Sequence, residues 1–146
     1  MDSTQDTTGG PSVTLDVRPI LAMGEEPFDA IMGAADEIEP GGSLEITAPF
    51  EPQPLYEVMA RRGFAHSTDM RSEAEFVVLF TRTGITLEST VSTVHQGFPA
   101  TAAVIADAGL DMCCGGGHTI EFAAGAHGHE PLRLLQDLQQ AALSDL

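Results

Sequence analysis

"EFVVLFTRTGITLESTVSTVHQG", residues 75–97, is where the chain changes its period. Its first part, with Ala74 ahead of it, is a strongly apolar run of β-branched and aromatic residues that ends in Thr81-Arg82, the pattern of a strand. "TGITLES" (83–89) is a short polar joint. Beyond it the β pattern stops, and "STVSTVHQG" is a short helix capped by Ser89 or Thr90. The chain therefore divides into an α/β unit before the joint and a helical unit after it.

Before the joint, "SVTLDVRPI" alternates and predicts a strand over 13–18. "PFDAIMGAADEI" opens at Pro27 and puts Phe28, Ile31, Met32, Ala35 and Ile38 on one face, with "EPGGS" as its stop. "SLEITAP" is a second strand. "PLYEVMARRGF" is a second helix from Pro54, with Leu55, Val58 and Met59 inward and Gly63 as its end. "FAHSTDMR" is the strand before the apolar one. The order β-α-β-α-β-β predicts two helices on one face of a four-stranded sheet. After the joint, Pro99 opens a helix that Gly109 closes, "GGHTIEFAAGAHG" is another, and "EPLRLLQDLQQAAL" is the last, with a stripe of Leu132, Leu135, Leu138 and Ala142. The expected organisation is a disordered tail over 1–12, an α/β domain over 13–83 and a helical domain over 88–146.

The charge is lopsided. Twenty-two acidic residues face six basic ones, all arginine, for a net charge of −16. Such a surface repels phosphate backbones and anionic lipid, so neither nucleic acid nor a membrane is expected as a partner. No run approaches the roughly 18 apolar residues of a membrane span. The start, "MDSTQDTTGGPS", lacks the basic and apolar parts of a secretory signal, and a cytoplasmic location is expected.

In a reducing compartment, the two cysteines of "LDMCCGGGHTIEF" (110–122) suit reactivity or metal binding better than a structural disulfide. Cys113 and Cys114 are adjacent and run straight into Gly115, Gly116 and Gly117. Backbone N–H groups at a following helix start would stabilise a thiolate. The glycines would let another molecule approach the sulfurs closely. His118 is in reach to hydrogen-bond a thiolate, donate a proton or face solvent. Adjacent thiols strain any ring they close and chelate one tetrahedral metal poorly within one chain. A two-fold dimer would bring four sulfurs together, the number zinc or an iron–sulfur cluster commonly takes. The plain alternative is that both cysteines are small buried hydrophobes. His127 and His129 fall on a loop, and His66 and His95 read as surface or core residues. Phe50, in a stiff turn with Pro49, Pro52 and Pro54, reads as local packing.

Thr90-Val91, Pro99-Ala100, Gly109-Leu110-Asp111 and Cys113-Cys114-Gly115-Gly116 make the helical unit resemble the N-terminal domain of the ScdA/RIC family, which is associated with repair of iron–sulfur centres damaged by nitrosative and oxidative stress. Many relatives have a third cysteine near the position of Ala124, and full repair proteins carry a hemerythrin-like di-iron domain that these residues do not supply. "LDVRPI", "APFEPQPLYEVMARRGF" and "FVVLFTR" make the first unit similar to the uncharacterised branch of the TusA/SirA-like fold. Sulfur carriers of that fold place Cys-Pro at the first helix; here Gly24-Glu25-Glu26-Pro27 keeps the proline and lacks the cysteine.

The resemblances imply a TusA-like two-layer α/β sandwich followed by a small ScdA-type helical domain. They also imply a small redox or metal-linked accessory protein in nitrosative stress. In it Cys113 and Cys114 would be catalytic residues or metal ligands, and Gly115, Gly116 and His118 would flank whatever they bind: iron, an iron–sulfur cluster or zinc. Its partner would be another protein, with a homodimer as one form. Two other functions stay open: a regulatory binding module with inert cysteines, and a sulfur-transfer protein in which the pair replaces the carrier cysteine.

Overall fold

The computed structural model describes residues 12–110 and 117–145. The tail up to Pro11, and Cys113, Cys114, Gly115 and Gly116, lie outside the described residues. Among the described residues there are four strands and seven α-helices: β1 (Ser12–Asp16), α1 (Arg18–Ala22), α2 (Phe28–Asp36), β2 (Ser43–Ala48), α3 (Gln53–Arg61), β3 (Phe64–Ser72), β4 (Glu75–Arg82), α4 (Val91–Gly97), α5 (Ala102–Asp107), α6 (Ile120–Ala126) and α7 (Pro131–Ala142). Short 3₁₀ turns precede α5 at Pro99–Thr101 and follow α7 at Leu143–Asp145. None of the described helices is long and apolar enough to cross a membrane. Contacts divide the chain into two units: the residues up to Tyr56 with His66–Arg82, and Glu57–Ala65 with Thr83 onward.

The first unit is built on a mixed sheet of order β1-β2-β4-β3. β1 runs parallel to β2, from Ser12 opposite Ser43 to Asp16 opposite Thr47. β2 runs antiparallel to β4, from Ser43 opposite Thr81 to Ala48 opposite Phe76. A parallel pair needs a crossover, and α1 and α2 supply it. In this register Leu44 faces Phe80 and Ile46 faces Val78, and all four are buried. Alternation along two strands has put one apolar row on one side of the sheet.

Three expectations change here. The first strand stops at Asp16 rather than running to 18, because Arg18 opens α1. Asp16 accepts hydrogen bonds from the backbone N–H of Arg18 and from its guanidinium at 2.8 Å, which holds the Asp16 carboxyl below the usual range. Pro19 then sits in the first turn, where its missing N–H costs nothing. Phe28 does not face inward: at the start of α2 it is 42% exposed, while Ile31, Met32 and Ala35 carry the buried face. Finally, α2 stops at Asp36, two residues short of Ile38, although Ile38 is buried as expected. The Arg82 guanidinium at the end of β4 donates to the Ile38 carbonyl at 2.6 Å, just past the helix, and adds a second donor at 3.4 Å to the Ala35 carbonyl, which already takes the Ile38 N–H at 3.1 Å.

The second unit has a core of aliphatic side chains from α4, α5, α6 and α7. The predicted stripe of α7 is buried, and Leu134 and Gln139 are buried with it. The joint at 83–89 is not a solvated linker: Ile85 and Thr83 are both buried. The Thr83 hydroxyl donates to the Gly63 carbonyl at 3.1 Å and accepts from the Ile85 N–H at 3.2 Å. Gly63 has φ +95°, the left-handed conformation that favours glycine, and it packs on the Gly84 backbone. Thr90, not Ser89, caps α4 by accepting from Thr93 N–H. Ser89 instead accepts from Thr86 N–H at 2.9 Å.

Gln139 is 1% exposed. Its side-chain amide donates to the carbonyls of Ala60 at 2.9 Å and Ile85 at 2.8 Å, using both of its hydrogens. Replacing Gln139 with Leu keeps an apolar stem, strands the Ile85 carbonyl and leaves the Ala60 carbonyl with the Gly63 N–H at 3.0 Å. The expected loss is about 2 kcal/mol of unfolding free energy, by the cost of an unpaired buried acceptor, measured by urea unfolding of the full chain.

Candidate functional site

The two ends of the cysteine stretch are fixed to the helical core. On the near side α5 ends in Gly109 at φ +77°, and the Leu110 N–H returns to the Ile105 carbonyl at 3.1 Å. This left-handed closure turns Leu110 back into the core beside Ile105. On the far side the His118 carbonyl accepts from Val91 N–H at 3.0 Å, and Thr90 and Thr119 form an antiparallel bridge. The predicted site residues Cys113, Cys114, Gly115 and Gly116 fall between these anchors and outside the described residues. Of the predicted set, His118 is described. It is exposed, and its ring lies against that of Phe122, centroids 4.4 Å apart and tilted by 35°.

The start of α6 differs from expectation. Its first three N–H groups are already engaged: Ile120 donates to Ser89 O at 2.8 Å, Glu121 to Leu87 O at 3.1 Å, and Phe122 to the Thr119 hydroxyl at 3.1 Å. The free donors that would stabilise a thiolate at this helix start are therefore taken. Leu110 and Ile120, on the two sides of the stretch in sequence, are both buried.

Behind the near anchor, a groove of about 420 Å³ runs between α5 and α7, lined by Val104, Asp107, Glu130, Arg133, Leu134 and Asp137 among others. His129 is not a solvated loop residue. It is half-buried, and a ring nitrogen lies 2.7 Å from the Ala108 carbonyl. A carbonyl only accepts, so that nitrogen carries the hydrogen. His127 is exposed at the end of α6. Among the described residues no group of three or more His, Cys, Asp or Glu is placed to hold a metal ion.

A polar cluster that the sequence did not announce lies in the α/β unit. Tyr56 of α3 stacks on His66 of β3 with centroids 3.8 Å apart and planes 4° apart, and both rings tilt onto Phe80. The Tyr56 hydroxyl donates to Glu51 at 3.0 Å and also contacts the Thr68 hydroxyl. Burial pushes Tyr56 up and His66 down, with Glu51 partly opposing the shift of His66. A helix residue and a strand residue ten positions apart carry no shared sequence signal, so only the folded chain shows the pair. Phe50, next to Glu51, is 53% exposed, not packed as expected.

Residues 14–82, a little under half of the chain, match a family described as an uncharacterised conserved protein (DUF2249). The match runs from β1 to the end of β4. No curated protein and no solved structure matches the chain.

The His66 shift has a stability consequence. A histidine whose folded value is depressed contributes stability that is fully present above its ordinary value of about 6.5 and is lost as pH falls through it. His66→Phe keeps a ring on Tyr56 and removes the proton site. Compared with the wild-type chain, its unfolding free energy should decline less between about pH 7 and pH 5, as read by urea unfolding across that range.

Proposed function

We propose that this chain is a small redox or metal-linked accessory protein whose Cys113–Cys114 pair handles iron, nitric oxide or sulfur in nitrosative and oxidative stress, while the α/β unit docks a protein partner. The observation that carries this reading is a vicinal cysteine pair followed by three glycines, in a stretch tied to the core at Leu110 and at His118–Ile120. Short anchored ends with small residues between them suit two sulfurs offered to another molecule. The ScdA/RIC-type resemblance of residues around this stretch supports the same reading, and the TusA/SirA-like resemblance of the first unit supports docking over carrier chemistry. The exposed Phe50 and Phe28 favour a protein contact on that unit.

The fit to a metal is limited by donor count. Thiolates suit zinc and iron by softness, yet the chain has two cysteines, and the described residues add no preformed ligand group. Metal held by one chain would thus need donors from elsewhere. His118, exposed beside Phe122, keeps the flanking role that the sequence suggests for it.

Anaerobic purification with metal analysis, an absorption spectrum and thiol titration tests the proposal. The expected result is two titratable thiols in the native protein that react with a nitric oxide or persulfide donor or bind iron. Cys113→Ser with Cys114→Ser should abolish all of it, with the fold unchanged by circular dichroism. Two thiols that stay inert to every reagent until the protein is unfolded would overturn it in favour of a binding module with buried cysteines.

A further inference from the structure

β3 closes one end of the sheet, so its outer edge has no strand beside it among the described residues. Ser67 through Ser72 are all exposed. Six consecutive exposed residues, with no proline among them, present a row of backbone donors and acceptors that templates another strand. The side chains on this edge are ordered by charge: Asp69 and Arg71 lie on one side of the strand and pair at 3.0 Å. Met70, between them, is 62% exposed on the other side.

The order Thr68-Asp69-Met70-Arg71-Ser72 is complementary to itself when reversed. In an antiparallel pairing centred on Met70, Met70 faces Met70 of a second copy, Asp69 faces Arg71, and Thr68 faces Ser72. Each of the last two pairings occurs twice by symmetry. Opposite charges, hydroxyl pairs and an apolar centre are the cross-strand contacts that stabilise an antiparallel edge. One step further out Ser67 faces Glu73, so no like charges stand directly opposite. A register centred on one residue works whether that residue's backbone groups point outward or inward, since the bonds then form at Met70 or at Asp69 and Arg71.

We propose that β3 pairs edge to edge with β3 of a second copy of this chain, about a two-fold axis at Met70, joining two four-stranded sheets into one of eight. The net charge of −16 opposes association, but this edge is locally balanced, one acid and one base per copy from Ser67 to Ser72. A strand from a different protein would find the edge equally open. It would have no reason to match the order of Asp69 and Arg71, and this selects the second copy as occupant. The proposal does not rest on the cysteines.

Light scattering of the full chain in reductant, over a wide concentration range, tests it. The wild-type protein should be dimeric. Arg71→Asp places four carboxylates around the axis and should raise the dissociation constant by at least about tenfold. Asp69→Arg alone is a second disruptive variant, so misfolding of one leaves the other decisive. Combining Asp69→Arg with Arg71→Asp restores every pairing in reverse and should restore the dimer. A wild-type monomer at all concentrations would overturn the proposal. So would a charge-reversed variant that dimerises as tightly as wild type, or a double variant no tighter than the single ones.

Discussion

The helical unit depends on one buried amide. Gln139 sits on the apolar face of α7 and holds two carbonyls, Ala60 at the end of α3 and Ile85 after β4. These carbonyls belong to segments that lie 79 and 54 residues from it along the chain. A leucine there would pack as well, but it could not choose between neighbouring registers of α7. Two directed hydrogen bonds from a buried side chain admit one register. Around that fixed point the aliphatic side chains of α4 to α7 close, and the anchors of the cysteine stretch, Leu110 and Ile120, belong to the same core.

Thr83, Gly63 and Gly84 extend this arrangement. The Gly63 carbonyl accepts from the N–H groups of Thr83 and Gly84 and from the Thr83 hydroxyl. A segment that reads as a linker is thereby bonded into the interior. Its polarity serves backbone groups instead of solvent, which composition alone does not reveal.

The legible parts of the fold are those where one local cause decides. Period-two runs gave β2 and β4, Thr90 its cap, Gly109 its left-handed turn, and the leucine stripe α7. The illegible parts arise from partners distant in sequence. α1 hides because Val17, Ile20 and Leu21 look like strand residues, and the Asp16–Arg18 contact that turns the chain is short-range but conformational. The carbonyl of Ile38, just past α2, is met by Arg82, forty-four residues away. Gln139 reads as one more polar residue in "LLQDLQQ", and the Tyr56–His66 stack needs helix and sheet to be assembled first. The cysteine pair was conspicuous at once as a motif. The engagement of the α6 N–H groups was not, because their acceptors, Leu87 and Ser89, lie some thirty residues upstream.

Residues Glu57–Ala65 group with the chain from Thr83 onward, although they lie between segments of the other unit. This interleaving bears on how the protein is made. During synthesis the end of α3 leaves the ribosome well before α7 exists, so the Ala60 carbonyl, which also takes the Gly63 N–H, waits for its second donor until Gln139 has been made. Neither unit is a contiguous stretch that can be completed and set aside. The chain must extend through α7 before its second core can close, and until then the end of α3 is the segment a chaperone would meet.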